Sequence, residues 1–329
     1  MNRFLRGLGA ALVLVSGFPR LLCAQDDLLQ QLNTENKKPE YVIATFKGTL
    51  INNQQTVQLQ GKGTLEFMIL HRFGALKDLG TFFGLDQARI RLGLGYGVFD
   101  WWNLGVGRST NGQTYDLWTK FRIARQRKGW VWPVFSVSWY SNMAINSAKW
   151  QGSEARPDIF SNRLSFVNQL LVARKFGERF SLQLAPTHVH YNLVPTRGLS
   201  GPPEIVERSN NSIFILGTSA RFKVSKRVAL TAEYNWIPPG QVRGYYDSFG
   251  VGIDLETGGH IFQLLFGNSR DMIAQQFMAR NNSKVWKGDF FFGFNISRVF
   301  SVLKPKEFRM KKGKGASGEP EATAPQPSW

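Results

Sequence analysis

Two histidines, His188 and His190, stand two residues apart in "THVHYN". On a strand this spacing puts both imidazoles on one face, where they could ligate a metal ion. No acidic residue and no third histidine is close in sequence, so a polar pair at a strand rim is the simpler expectation. His71 and His260 stand singly. The glycine-rich stretches "GLGYG" (93–97) and "GVGRS" (105–109) open no helix and carry no Gly-Lys-Ser/Thr, so they are not phosphate loops. A hydrolase or acyltransferase needs a nucleophile, a base and an orienting group that meet in space. Ser165, Ser219 and the histidines do not assemble into such a set from sequence. The expectation is a non-enzyme with no catalytic, metal or cofactor-binding residues.

The charged residues carry a clearer pattern. In "DQARIRLGLGYGVF" (86–99), Ala88, Ile90, Leu92, Leu94, Tyr96 and Val98 alternate with Gln87, Arg89, Arg91, Gly93, Gly95 and Gly97. Period-two alternation marks a β-strand with one apolar and one polar face. A soluble sheet turns the leucines to its core; a membrane barrel turns them to lipid and the arginines to its lumen. The alternation alone does not choose.

The elements that must position these residues do choose. About twelve stretches alternate in this way: 64–73, 86–99, 102–109, 114–125, 130–140, 162–174, 180–191, 211–222, 228–236, 245–255, 260–269 and 286–300. Their connections segregate into short ones such as "DWW", "KFGER" and "ETGG" on one side, and mostly long ones on the other. Outer-membrane barrels show this asymmetry as periplasmic turns and extracellular loops. Of ten tryptophans, Trp101, Trp102, Trp130 and Trp132 fall at strand ends on the short-turn side. Trp139, Trp236 and Trp286 fall on the long-loop side, near Tyr140, Tyr191, Tyr245 and Tyr246, and only Trp118 is placed mid-strand. Two aromatic belts are expected at the two headgroup regions. Short helices are expected at 26–36 and, within a loop, at 269–280.

The ends and composition agree. Arg3 and Arg6, the apolar run 7–18 and "LLCA" have the layout of a secretory signal peptide ending at Ala24. Leu22 is too bulky for lipidation at Cys23, the one cysteine of the chain, so a mature chain starting at Gln25 has none. Losing Arg3, Arg6 and Arg20 lowers the formal charge from +18 to +15. Such basicity suits lipopolysaccharide, anionic lipid or a small anionic solute; no motif supports nucleic acid.

"ATFKGTLI" (44–51), "LEFMILHRFG" (65–74) and "FGLDQARIRLGLGYGVFDWWNLGVGRS" (83–109) resemble the membrane-bound β-barrel domain family of unknown function from Bacteroidetes-type Gram-negative bacteria. "YDLWTKFRIARQ" (115–126) and "GGHIFQLLFGNSR" (258–270) continue the likeness, over roughly 41–300. The resemblance implies an outer-membrane barrel and brings no activity or site residues with it.

The expected molecule is all-β: a transmembrane antiparallel up-and-down barrel of about twelve strands. Residues 1–24 are the signal, 25–62 a periplasmic segment or partial plug, 63–300 the barrel and 301–329 a disordered tail. Parity assigns Arg89, Arg91, Asp116, Lys120, Arg122, Arg163, Glu233 and Asp254 to the lumen. Function is expected to be a narrow pore or binder for small anionic solutes; the alternatives are a non-conducting accessory barrel and an outer-membrane lipid enzyme.

Overall fold

The computed structural model describes residues 39–77, 80, 84–129, 131–149, 158–194, 210–242 and 244–303. The signal, the helix expected at 26–36, Trp130 and the tail beyond 303 lie outside the described residues.

A two-stranded hairpin, β1 (Leu50–Ile51) and β2 (Gln54–Gln55), precedes twelve longer strands. These are β3 (Thr64–Ala75), β4 (Ala88–Phe99), β5 (Trp102–Ser109), β6 (Tyr115–Ala124), β7 (Ser136–Ile145) and β8 (Leu164–Phe176). They continue with β9 (Phe180–Tyr191), β10 (Ser212–Lys223), β11 (Val228–Trp236), β12 (Ser248–Thr257), β13 (His260–Gly267) and β14 (Phe291–Ser301). Each pairs antiparallel with its neighbours in chain order, and β14 closes on β3 through pairs such as Phe300 with Leu65 and Ser301 with Thr64. The result is a closed twelve-strand barrel without a free edge, which satisfies every strand's backbone groups inside the wall.

Strands of 8–13 residues suit a tilted crossing of the hydrocarbon layer. Among the described residues, no helix is long and apolar enough to cross a membrane. Connections are as short as 100–101, 177–179 and 258–259 at one end, the turn side. At the other, the loop side, they run to 146–163, 192–211 and 268–290.

Burial is inverted relative to a soluble protein. Leu92, Leu94, Val106, Leu117, Leu184, Leu230 and Val251 are exposed on the outer wall, whereas Glu66, Arg72, Arg91, Lys120, Gln183 and Glu233 are buried within. Water does not bury lysine and display leucine, so the outer wall faces lipid.

Several strand starts depart from expectation. β14 begins at Phe291 and not 286, which leaves Trp286 in the turn Val285–Lys287, and β12 begins at Ser248 and not 245. The largest departure is in β7. The fifth long strand runs over Ser136–Ile145, not 130–140. Pro133 cannot donate to the ladder, so pairing starts after it. Trp139 and Tyr140, expected near the loop-side strand end, therefore sit mid-strand; Trp139 faces outward and Tyr140 is buried against the Trp118 ring.

Candidate functional site: a filled lumen

Inward-facing glycines of β4 and β5 make room for large inward side chains. A Cβ on Gly95 would meet the Trp118 ring at 3.0 Å, and one on Gly107 would lie 2.6 Å from the Arg91 guanidinium. In that space Arg91 Nη2 donates to Asp116 Oδ2 at 2.6 Å, and Asn142 Nδ2 donates to the same oxygen at 3.2 Å. Both charged side chains are almost fully shielded. The pair is shielded from bulk solvent because the lumen is occupied.

The occupant from the turn side is residues 46–58. Phe46, Ile51 and Val57 are buried among Met68, Leu70, Trp118, Tyr140 and Leu171. Around this apolar contact, wall side chains bind the segment's backbone. Glu233 accepts from the Asn53 and Gln54 amides at 3.0 and 2.9 Å. Gln183 accepts from the Val57 amide at 2.9 Å and donates to the Gln55 carbonyl at 2.7 Å. Lys120 Nζ donates to the Thr56 carbonyl at 3.0 Å and the Gln58 carbonyl at 3.2 Å. At the hairpin tip, Arg72 Nη2 donates to Asn53 Oδ1 at 2.7 Å, and Asn295 donates to the Asn52 carbonyl at 2.6 Å.

The connection 268–290 folds in from the loop side. Its short helix, Ala274–Ala279, sets Phe277, Met278 and Ala279 against inward Val167, Val189, Ile213 and Ile215. Gln275 donates to Asn142 at 2.6 Å, and the Tyr191 hydroxyl donates to the Gln275 carbonyl. Arg89 pairs with Asp271, which also accepts from Asn111 at 2.7 Å. The two inserted segments meet beside Arg91 and Asp116. The cavity left there, lined by Leu50, Asn53, Tyr140 and Met272 among others, has room for about one water molecule.

The other expected lumen residues divide as follows. Lys120, Glu233 and Asp254 are buried inside, with Asp254 accepting from Gln263 at 2.8 Å. Arg122 is half-buried two residues short of the β6 end. Arg163 is not in the lumen. It ends the turn Phe160–Arg163 before β8 begins, at the loop-side rim, where Nε and Nη2 grip Asp158 at 2.6 and 2.7 Å. Those hydrogen bonds hold the Asp158 carboxyl below its usual range. The expected strand 162–174 starts two residues before β8 does, and this gives Arg163 a parity it does not have.

Charged lumen residues missed from sequence are Glu66, Arg72 and Arg221. Arg221 Nη2 donates to Glu256 at 2.7 Å and its guanidinium lies 3.7 Å from Asp254. The signal that could have found them was parity in β3 and β10. Inward Met68 and Leu70 blur it in β3, where the hairpin covers them.

His188 and His190 share the outer face, with ring centroids 6.4 Å apart. Among the described residues no group of three or more histidine, cysteine, aspartate or glutamate side chains could hold a metal. Ser219 is buried and bound to Gln54, away from these histidines.

This fold and filled interior define a membrane-bound β-barrel. The chain belongs to the family described as "Membrane bound beta barrel domain (DUF5777)", which matches residues 46–300. Similar solved structures include the NanC porin, at 9% identity and TM-score 0.45, over 73% of this chain and all of that one. An outer membrane channel from Pseudomonas putida F1 matches at 14% and 0.43, over 74% and 97%. Outer membrane phospholipase A from Escherichia coli matches at 11% and 0.37, over 73% and 91%. These likenesses concern fold alone. No curated protein matches the chain in sequence.

Proposed function

We propose that the protein is an exported outer-membrane barrel whose resting state is closed by its own chain, and that small polar solutes pass when the inserted segments withdraw. The turns then face the periplasm and the loops the exterior. The observation that carries this reading is the lumen filled from both ends, with wall side chains bonded to hairpin backbone. Those bonds are polar and water can replace them, so hairpin withdrawal leaves a largely polar wall. The cost is wetting the apolar patch of Met68, Leu70, Trp118 and Leu171.

Anion preference has less support than net charge suggests. Inward-facing buried Arg72, Arg91, Lys120 and Arg221 stand against Glu66, Asp116, Glu233 and Asp254. The near balance favours small polar solutes over anions as a class.

A non-conducting accessory barrel is the second reading, favoured by the apolar seat of the loop helix, which water does not replace without cost. Planar-bilayer recording separates the two. The full chain should stay closed for long periods, and a variant lacking 46–58 should conduct steadily. A folded variant lacking both 46–58 and 274–279 that stays silent would establish the accessory reading. Steady conductance by the full chain would contradict the closed resting state.

A further inference from the structure

The chain carries a formal charge of +18, yet its buried lumen charges nearly cancel. Much of the excess lies on one sector of the turn-side rim. The connections 125–135, 177–179 and 224–227 carry Arg125, Arg127, Lys128, Arg179, Lys226 and Arg227. One acid, Glu178, stands among them, 3.9 Å from Lys175. The three connections adjoin one another: the Gln126 side chain exchanges hydrogen bonds with the Lys175 backbone, and the Lys223 amide donates to the Arg179 carbonyl at 2.8 Å. The turn-side connections 100–101 and 258–259 carry no basic residue.

Beside these cations the outer surface is apolar and aromatic. Ile123, Phe176, Phe180 and Phe222 are exposed at the adjoining strand ends, and Val224 and the 75% exposed Trp132 lie in the connections themselves. Phe176 and Phe180 lie 6.0 Å apart across β8 and β9, and the Arg174 guanidinium sits 5.3 Å from the Phe176 ring centre. A soluble polyanion would engage the cations and leave these rings unused. A phospholipid uses both, with its phosphate among the cations and its upper acyl chains along the rings.

We propose that the turns joining β6–β7, β8–β9 and β10–β11 form a binding surface for anionic phospholipid headgroups of the leaflet on the turn side. The proposal rests on membrane insertion and not on passage through the lumen, so an electrically silent barrel leaves it standing.

Electron spin resonance of spin-labelled phosphatidylglycerol and phosphatidylcholine around the full-length barrel in phosphatidylcholine bilayers tests this. Phosphatidylglycerol should associate more strongly by about fivefold, and raised salt should erase the preference. A variant carrying K128E, R179E, K226E and R227E should lose it, whereas loop-side K284E with K287E should keep it. Heat-modifiable gel mobility shows that each variant is folded; if the fourfold variant is not, K226E and R227E singly should each lower the preference. Equal association of the two lipids in the unaltered chain would overturn the proposal, as would an unchanged preference in the turn-side variants. Loss of the preference to inorganic phosphate at constant ionic strength would show a site for free phosphate and also overturn it.

Discussion

Arg91 shows how far strand parity reaches. Alternation from Arg89 to Gly97 marks Arg91 as opposite Leu92, and the structure has Leu92 outside and Arg91 inside. Parity cannot supply the partner across two strands, nor the solvent-shielded setting, because both depend on segments remote in sequence. The consequence is energetic. Removing one member of a buried ion pair strands the other and costs about 3–5 kcal/mol, whereas replacing both with apolar residues is often neutral. Arg91→Leu should therefore lower the temperature at which the folded band is lost on gels, and Arg91→Leu with Asp116→Leu should recover most of the difference. A single variant as stable as the parent would mean that the pair is solvated after all. On the outer face, Leu92→Arg places a charge in lipid at about 2–4 kcal/mol near the midplane, and the folded yield in vesicles should fall.

At the scale of elements, strand number and most boundaries were legible because lipid and lumen impose opposite preferences on successive residues. β5, β9 and β11 coincide with the alternating stretches 102–109, 180–191 and 228–236. Legibility failed where another determinant intervened. Pro133 displaced β7, and apolar residues point inward in β3 and β8 because inserted segments cover them. The barrel's end yields a direct prediction. Arg298–Ser301 pair with Thr64–Phe67, and the amides of Val302 and Leu303 donate to the Gly63 carbonyl at 2.9 and 3.0 Å. A chain ending at residue 303 should insert normally. One ending at residue 297 leaves the start of β3 without its ladder, and its heat-modifiable band should be absent; equal insertion of both would show that this seam does not close the barrel.

For the whole molecule, the sequence indicates what each face of the wall prefers and not what stands opposite it. "FKGTLINNQQTVQLQ" carries only weak pattern, since its partners are side chains of many strands and not a neighbouring strand. The same ambiguity makes a solvated charged lumen and a filled one read alike. Hydrogen–deuterium exchange of the full chain in bilayers tests the filled lumen most directly. The amides of Asn53, Gln54 and Val57 donate to Glu233 and Gln183 inside the barrel, so they should exchange as slowly as those of β9 and β11. Exchange of these three at the rate of an unstructured peptide, with the wall still protected, would contradict the account.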